Sequence, residues 1–191
     1  MNIIIDNSIR TQRHPGFFRG MSDTKEITVH ATGGGSSAGA LIAWLLTPGQ
    51  RKKKADGLFH YCIDYNGDVY ELIDPVEKWV YHSSTGKRDR ATIGIEIMKK
   101  DVRNESEPTI QQYRSLLQLI NTLLENIDTI NIICGHGRRK KRYGLNYKNC
   151  PGKFDWNIIT DELISEGHKF KYESEYIFEI ERSDEKNNTD S

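Results

Sequence analysis

The residues best suited to chemistry in this 191-residue chain lie in two short stretches, Cys134-Gly135-His136 and Lys148-Asn149-Cys150-Pro151-Gly152. A histidine follows a short apolar run. A cysteine stands against a Pro-Gly turn, with Lys148 two residues before it. An imidazole and a thiolate presented together suit a borderline-soft divalent ion such as zinc. Two ligands make a weak site, so a third must come from elsewhere. His30, at the end of Ile27-Thr28-Val29, is the best placed. Both His30 and His136 follow β-rich runs and adjoin small residues, as a ligand at a strand end would.

Glu96 is the most informative single residue. It stands among Ile93, Ile95 and Ile97, in a segment that reads as a strand buried on at least one face. A carboxylate there is costly unless it pairs or works. By the two-residue alternation of a strand it points to the side of Gly94 and Met98 and away from the isoleucines. An exposed glutamate on a half-buried strand is the plainer alternative. His60 and His82 flank the central strands, where they could line a cleft, while His14 and His168 have no supporting context. Cys62 and Cys134 lie within β-rich runs and read as small core residues.

These side chains need a scaffold, and the pattern supplies an α/β one. A peripheral strand and loop cover residues 1–25. A buried strand spans Ile27 to Ala31, and a helix runs from Ala38 to Leu46, stopped by Thr47-Pro48-Gly49. Phe59–Asp64 and Asp68–Ile73 flank Tyr65-Asn66-Gly67, a strong hairpin signal. Short strands follow at Trp79–Tyr81 and Thr92–Met98, with a polar loop between. Thr109 and Gln112 form a capping box ahead of Ile110, Tyr113, Leu116, Leu117, Ile120, Leu123 and Leu124 at helical spacing. A strand over Ile130–Cys134 leads to His136. A last helix runs from Asp155 to Glu166, with Asp155 as N-cap and Gly167 as C-cap, and Tyr176–Ile180 adds an edge strand. The sum is a mixed central sheet flanked by helices in a single domain.

Gly33-Gly34-Gly35-Ser36-Ser37-Ala38 can also be written as a dinucleotide fingerprint between a strand and a helix. The Asn66-Gly67 turn argues against it, because a dinucleotide fold needs a crossover helix there. Formal net charge is zero, which predicts no bulk attraction to nucleic acid or to an anionic membrane. The basic run at 138–142 reads as a solvated loop rim, and that at 51–54 as loop. Three cysteines predict reduced thiols rather than a disulfide framework. The first residues are too briefly apolar for a signal peptide, and no run reaches membrane-spanning length. The expectation is a cytoplasmic monomer with a polar, acidic C-terminal stretch.

In order along the chain, several of these blocks resemble the zinc-dependent N-acetylmuramoyl-L-alanine amidases, a family of amidase-type phage lysins, muropeptide-recycling amidases and peptidoglycan recognition proteins. The blocks are Val29-His30-Ala31-Thr32, Phe59-His60-Tyr61-Cys62-Ile63-Asp64 with its Asn-Gly turn, Tyr81-His82, Ile93-Gly94-Ile95-Glu96, Gly135-His136, and Lys148 to Gly152 with Phe154-Asp155-Trp156. The resemblance runs from about Ile27 to about Ile164. It implies an amidase/peptidoglycan-recognition-like fold with Zn2+ held by His30, His136 and Cys150. The implied reaction is hydrolysis of the amide between N-acetylmuramic acid and L-alanine in peptidoglycan or muropeptides, as in a bacteriolytic endolysin or a recycling enzyme. Glu96 would take a proton from the attacking water, Lys148 would face the oxyanion, and Tyr81, His82 and His60 would line the substrate groove. The domain layout it implies is a peripheral segment at 1–25, a zinc amidase domain at 26–170 and an acidic tail at 171–191 with a disordered end. Phe59 stands where some members carry a tyrosine, cysteine replaces the aspartate some use as third ligand, and the loop from His136 to Lys148 is long and basic. A peptidoglycan-binding module without catalysis is the competing reading. Such modules commonly lack the cysteine that this chain keeps.

Overall fold

The computed structural model describes residues 3–5, 17–18, 23–47, 58–83, 85–101, 105–146, 149–174 and 177–181. Ten strands occur among them: β1 (Ile3–Ile5), β2 (Phe17–Phe18), β3 (Glu26–Ala31), β4 (Tyr61–Ile63), β5 (Val69–Glu71), β6 (Lys78–Trp79), β7 (Thr92–Ile97), β8 (Ile132–Gly135), β9 (Lys169–Ser174) and β10 (Ile177–Glu181). The helices are α1 (Ala38–Leu46), α2 (Ile110–Asn126), α3 (His136–Arg142) and α4 (Trp156–Ser165), and a 3-10 turn spans Gly86–Ala91. Eight strands form one mixed sheet in the order β1-β5-β4-β7-β3-β8-β10-β9, and β2 pairs with β6 separately. The expected α/β architecture, a mixed sheet flanked by helices, is the one observed.

β3 is the centre of the sheet. It runs parallel to β7 on one side and to β8 on the other. Alternation along these strands sorts their side chains into two layers. Ile27 and Val29 of β3, Ile93, Ile95 and Ile97 of β7, and Ile133 of β8 join the main apolar core with Leu116, Ile120 and Leu123 of α2 and Ile159 and Leu163 of α4. The opposite side carries Glu26, Thr28 and His30, all buried. There a smaller cluster forms from Ala38, Ile42 and Leu45 of α1 with Cys62, Leu72, Val80 and Met98. One face of the sheet is thus a structural floor and the other a polar bed.

α2 is fastened to the sheet by more than apolar burial. The Thr109–Gln112 capping box is present. Gln112 Nε2 also donates to the carbonyl of Met98 at 2.8 Å, so the capping residue ties the helix start to the end of β7. The hairpin turn docks beside it: Ser115 Oγ donates to the Gly67 carbonyl at 2.6 Å. Gly67 has φ +88°, and a Cβ there would meet Ser115 Oγ at 2.9 Å, so the turn needs glycine on both counts.

Several sequence expectations are corrected. The run 138–142 is not a solvated rim but part of α3, and Arg139 within it is buried. The last strand is not an edge: β10 lies between β8 and β9, antiparallel to both. β9 was not anticipated, and with it the sheet extends beyond residue 170. Helix α4 has Glu166 as its C-cap, with Gly167 following at φ +94°. The dinucleotide alternative fails on topology. α1 leads from β3 to β4, which is separated from β3 by β7 and turns back antiparallel into β5. The basic run at 51–54 and the expected disordered end of the acidic tail lie outside the described residues.

Leu116 is fully buried between α2 and the isoleucine face. Leu116→Ala is expected to lower unfolding free energy by about 2–5 kcal/mol in denaturant titration, without disturbing the polar row on the opposite face.

Candidate metal centre

His30 ends the polar row of β3, His136 opens α3 directly after β8, and Cys150 arrives on the loop before α4. The structure brings these three together: one donor atom from each lies within 4.8 Å of the others, and all three residues are buried. Among the described residues this is the one cluster of histidine, cysteine and carboxylate groups fit for a metal. Backbone bonds hold the three in place. The amide of Ala31, next to His30, donates to Cys150 Sγ at 3.4 Å. The amide of Gly137, next to His136, donates to the Cys150 carbonyl at 2.8 Å. Each histidine-bearing element therefore grips the cysteine through the residue that follows its own ligand.

The far nitrogens of both imidazoles are engaged. His136 Nε2 donates to the Ser83 carbonyl at 2.9 Å. A carbonyl only accepts, so the proton sits on Nε2 and Nδ1 carries the lone pair. His30 Nε2 lies 2.8 Å from His82 Nδ1. Metal-bound histidines ordinarily have such a partner on the second nitrogen. His82 is held in turn by Thr92 Oγ1, 3.0 Å from its Nε2, and its ring sits over Gly94. A Cβ at that position would come within 2.7 Å of the ring. Burial, and then the facing His30 and His60, push the His82 imidazole well below its ordinary pKa.

Glu96 is on β7 in direct register with His30 of β3 and Cys62 of β4. It is partly exposed and lines a cleft of about 220 Å³ with Thr32, Leu41, Trp44, Phe59 and His82. Burial first, then the Glu96 charge, raises the Cys62 thiol well above its usual range, so that thiol stays protonated beside the carboxylate. Tyr81 is half-buried, edge-on to Trp79. His60 has no exposed surface. Its Nδ1 accepts from the Gly94 amide at 3.0 Å and its Nε2 donates to the Lys78 carbonyl at 3.1 Å. Those bonds give His60 a role in bracing β7, and it does not reach the groove surface. Lys148 lies outside the described residues.

Sequence reasoning missed the groups beneath the ligands. Arg139, 1% exposed, puts Nη1 3.0 Å from Glu26 Oε2 and Nη2 3.6 Å from Asp89 Oδ1. Asp89 Oδ2 accepts from the amides of His82 and Ser83, at 3.1 and 3.2 Å, and Asp89 Oδ1 accepts from the Ser83 hydroxyl. Lys99 is also 1% exposed, and its Nζ donates to the carbonyls of Pro151 and Lys153 at 2.7 and 2.6 Å. Burial pushes its pKa down to about 8. A signal existed for two of these. Glu26 falls in the same alternation as Thr28 and His30, and Arg139 is three residues beyond His136, on the same helical face.

The donor set suits zinc. A thiol and two imidazoles are its preferred protein ligands, and three protein ligands leave a fourth position. A tetrahedral zinc sets such donors about 3.3–3.6 Å apart. The donors lie within 4.8 Å of one another, so the cluster would need to tighten by about 1.5 Å at most, and its second nitrogens are already partnered.

The family described as N-acetylmuramoyl-L-alanine amidase (Amidase_2) matches residues 20–153. No curated protein sequence matches the chain. Among solved structures the chain is similar to N-acetylmuramoyl-L-alanine amidase LysC from Clostridium intestinale URNW, at 21% identity and a TM-score of 0.65, covering 86% of this chain and 98% of that one. It is similar to the Ph2119 endolysin from Thermus scotoductus MAT2119 bacteriophage Ph2119, at 17% identity and a TM-score of 0.61, over 84% and 98%. It is also similar to the drosophila peptidoglycan recognition protein SD, at 14% identity and a TM-score of 0.56, over 80% and 89%. At these identities the likeness establishes the fold.

Elemental analysis after dialysis is expected to find about one zinc per chain, and Cys150→Ser to lose it. Lys99→Met should stay folded and weaken zinc retention by about 10–100-fold in chelator competition, since it releases the loop that carries Cys150 without touching a ligand.

Proposed function

The chain belongs to the N-acetylmuramoyl-L-alanine amidase family, and from that membership we propose that it is a zinc-dependent hydrolase cutting the amide between the lactyl group of N-acetylmuramic acid and L-alanine of the stem peptide. The observation that carries this reading is the convergence of His30, His136 and Cys150, with Glu96 one strand away in register with His30.

Zinc held by those three residues would supply an acidified water and polarise the scissile carbonyl. The chain's own residues do the rest. Glu96, partly exposed at the cleft, accepts the proton of the attacking water and returns it to the leaving nitrogen. A Cys150 thiolate would give the site less net positive charge than a third imidazole would, which leaves more of the proton transfer to Glu96. Lys148, two residues before Cys150 in the sequence, supplies the fixed positive charge for the oxyanion that develops in the transition state. Thr32, Trp44 and Phe59 give the cleft mixed polar and aromatic walls, suited to a sugar ring and a short peptide. Tyr81 and His82 complete the groove.

The substrate is peptidoglycan or its muropeptides, and the setting this reading favours is cell-wall lysis of the endolysin type. Support comes from the similarity to proteins named as endolysins and amidases. Among the described residues, no helix is long and apolar enough to cross a membrane. The competing reading, binding without cleavage, is disfavoured by the buried cysteine within the cluster, which a binding groove alone does not need.

Purified cell walls treated with the protein are expected to release stem peptides with a new L-alanine amino terminus, to stop doing so with chelator and to recover with zinc. Glu96→Gln should keep its zinc and lose about 100-fold or more in kcat. An undiminished rate would remove Glu96 from proton transfer, and stem peptides bound but never released would favour the binding module.

A further inference from the structure

A single chain of hydrogen bonds leads from the buried ion pair to His30. Arg139 Nη1 donates to Glu26 Oε2 at 3.0 Å. Thr28 Oγ1 donates to Glu26 Oε1 at 3.0 Å and lies 2.9 Å from Thr92 Oγ1. Thr92 Oγ1 lies 3.0 Å from His82 Nε2, and His82 Nδ1 lies 2.8 Å from His30 Nε2. The direction of every proton follows from the first acceptor. A carboxylate paired with arginine only accepts, so Thr28 spends its one hydroxyl proton on Glu26. Thr28 then accepts from Thr92, and Thr92 accepts from His82 Nε2–H. A ring with its proton on Nε2 offers Nδ1 as acceptor, so His30 donates from Nε2. His30 Nδ1 is left with the lone pair that a cation requires.

A second arm starts from the same guanidinium. Arg139 Nε donates to Ser83 Oγ at 3.2 Å, and Asp89 holds the Ser83 amide and hydroxyl. The Ser83 carbonyl takes the His136 Nε2 proton. Arg139 thus stands where the arms to the two imidazoles meet.

We propose that Glu26, Thr28, Thr92 and His82 form a relay, anchored by Arg139, that fixes the tautomer and aim of His30 and so sets the affinity of the metal centre. His82 is then a positioning residue first and a groove residue second. The assignment rests on the reading of His30, His136 and Cys150 as metal ligands.

The test uses variants that keep shape and remove one link. Thr92→Val is isosteric and takes away the acceptor for His82. Thr28→Val breaks the chain one step further from the ligand. Both are expected to raise the zinc Kd by about 10–100-fold in chelator competition and to alter the visible absorption of the cobalt(II)-substituted protein, which reports ligand geometry. Thr92→Ser, which restores the hydroxyl, should return both to wild type. In the metal-free protein, 15N shifts should report Nε2-protonated His30 in wild type and a mixture of tautomers in Thr92→Val. Should one threonine variant fail to fold, the other carries the measurement. Wild-type affinity and an unchanged cobalt spectrum in a folded valine variant overturn the relay alone. A wild-type chain that takes up no zinc overturns the metal reading and the relay with it. A valine variant whose affinity falls but is not rescued by serine also overturns the relay, since the loss then reflects packing.

Discussion

A guanidinium buried to 1% exposure has to have its charge matched within the protein. In this molecule Glu26 and Asp89 match it, and the rest of the polar face is arranged around that arrangement. Glu26 starts β3, Asp89 sits in the 3-10 turn before β7, and Arg139 comes from α3. β3 and α3 deliver His30 and His136, and Asp89 holds Ser83 beside them. A charge balance at the base of the sheet and a ligand cluster at its top are two ends of one construction.

The sheet makes that construction possible by keeping its two faces distinct. One is covered by α2 and α4 in an aliphatic core, and its stability does not depend on the chemistry above. The other gives up apolar burial to carry Glu26, Thr28 and His30. Buried polar groups of this kind are tolerable only when each is paired. The thiols at the border of this face illustrate the same economy. Burial first, then Glu26, pushes the Cys134 thiol well above its ordinary pKa, and its S–H donates to Glu26 at 3.1 Å. That thiol adds a donor to the carboxylate and no charge.

Much of this was legible in the sequence. The alternation around Glu96 put the carboxylate on the ligand side of its strand, and the Asn66-Gly67 turn and the Thr109–Gln112 box located the hairpin and the main helix. His30, His136 and Cys150 were recognisable because few chemistries need a thiol and two imidazoles. What was not legible depended on tertiary partners. Five consecutive cations look like solvated surface, and the spacing of Arg139 from His136 hints at an inward face without naming Glu26 as its partner. His60 looked like a groove residue because it stands at the start of a visible hairpin strand, while the backbone partners of its ring, Gly94 and Lys78, were distant in sequence. β9 carries too many charges to read as sheet-forming, and only its pairing with β10, itself paired with β8, gives it a place.

The two amides that hold Cys150 also separate its position from the length of chain that precedes it. Gly137 and Ala31 fix the cysteine from either side, so the segment from Tyr143 to Asn149 spans two pinned ends and adds little closure cost when it grows. Insertions there would remodel the rim of the groove and leave its floor untouched. The place of Cys150 is thereby insulated from changes of length in that segment, whereas Lys148, which belongs to it, is not.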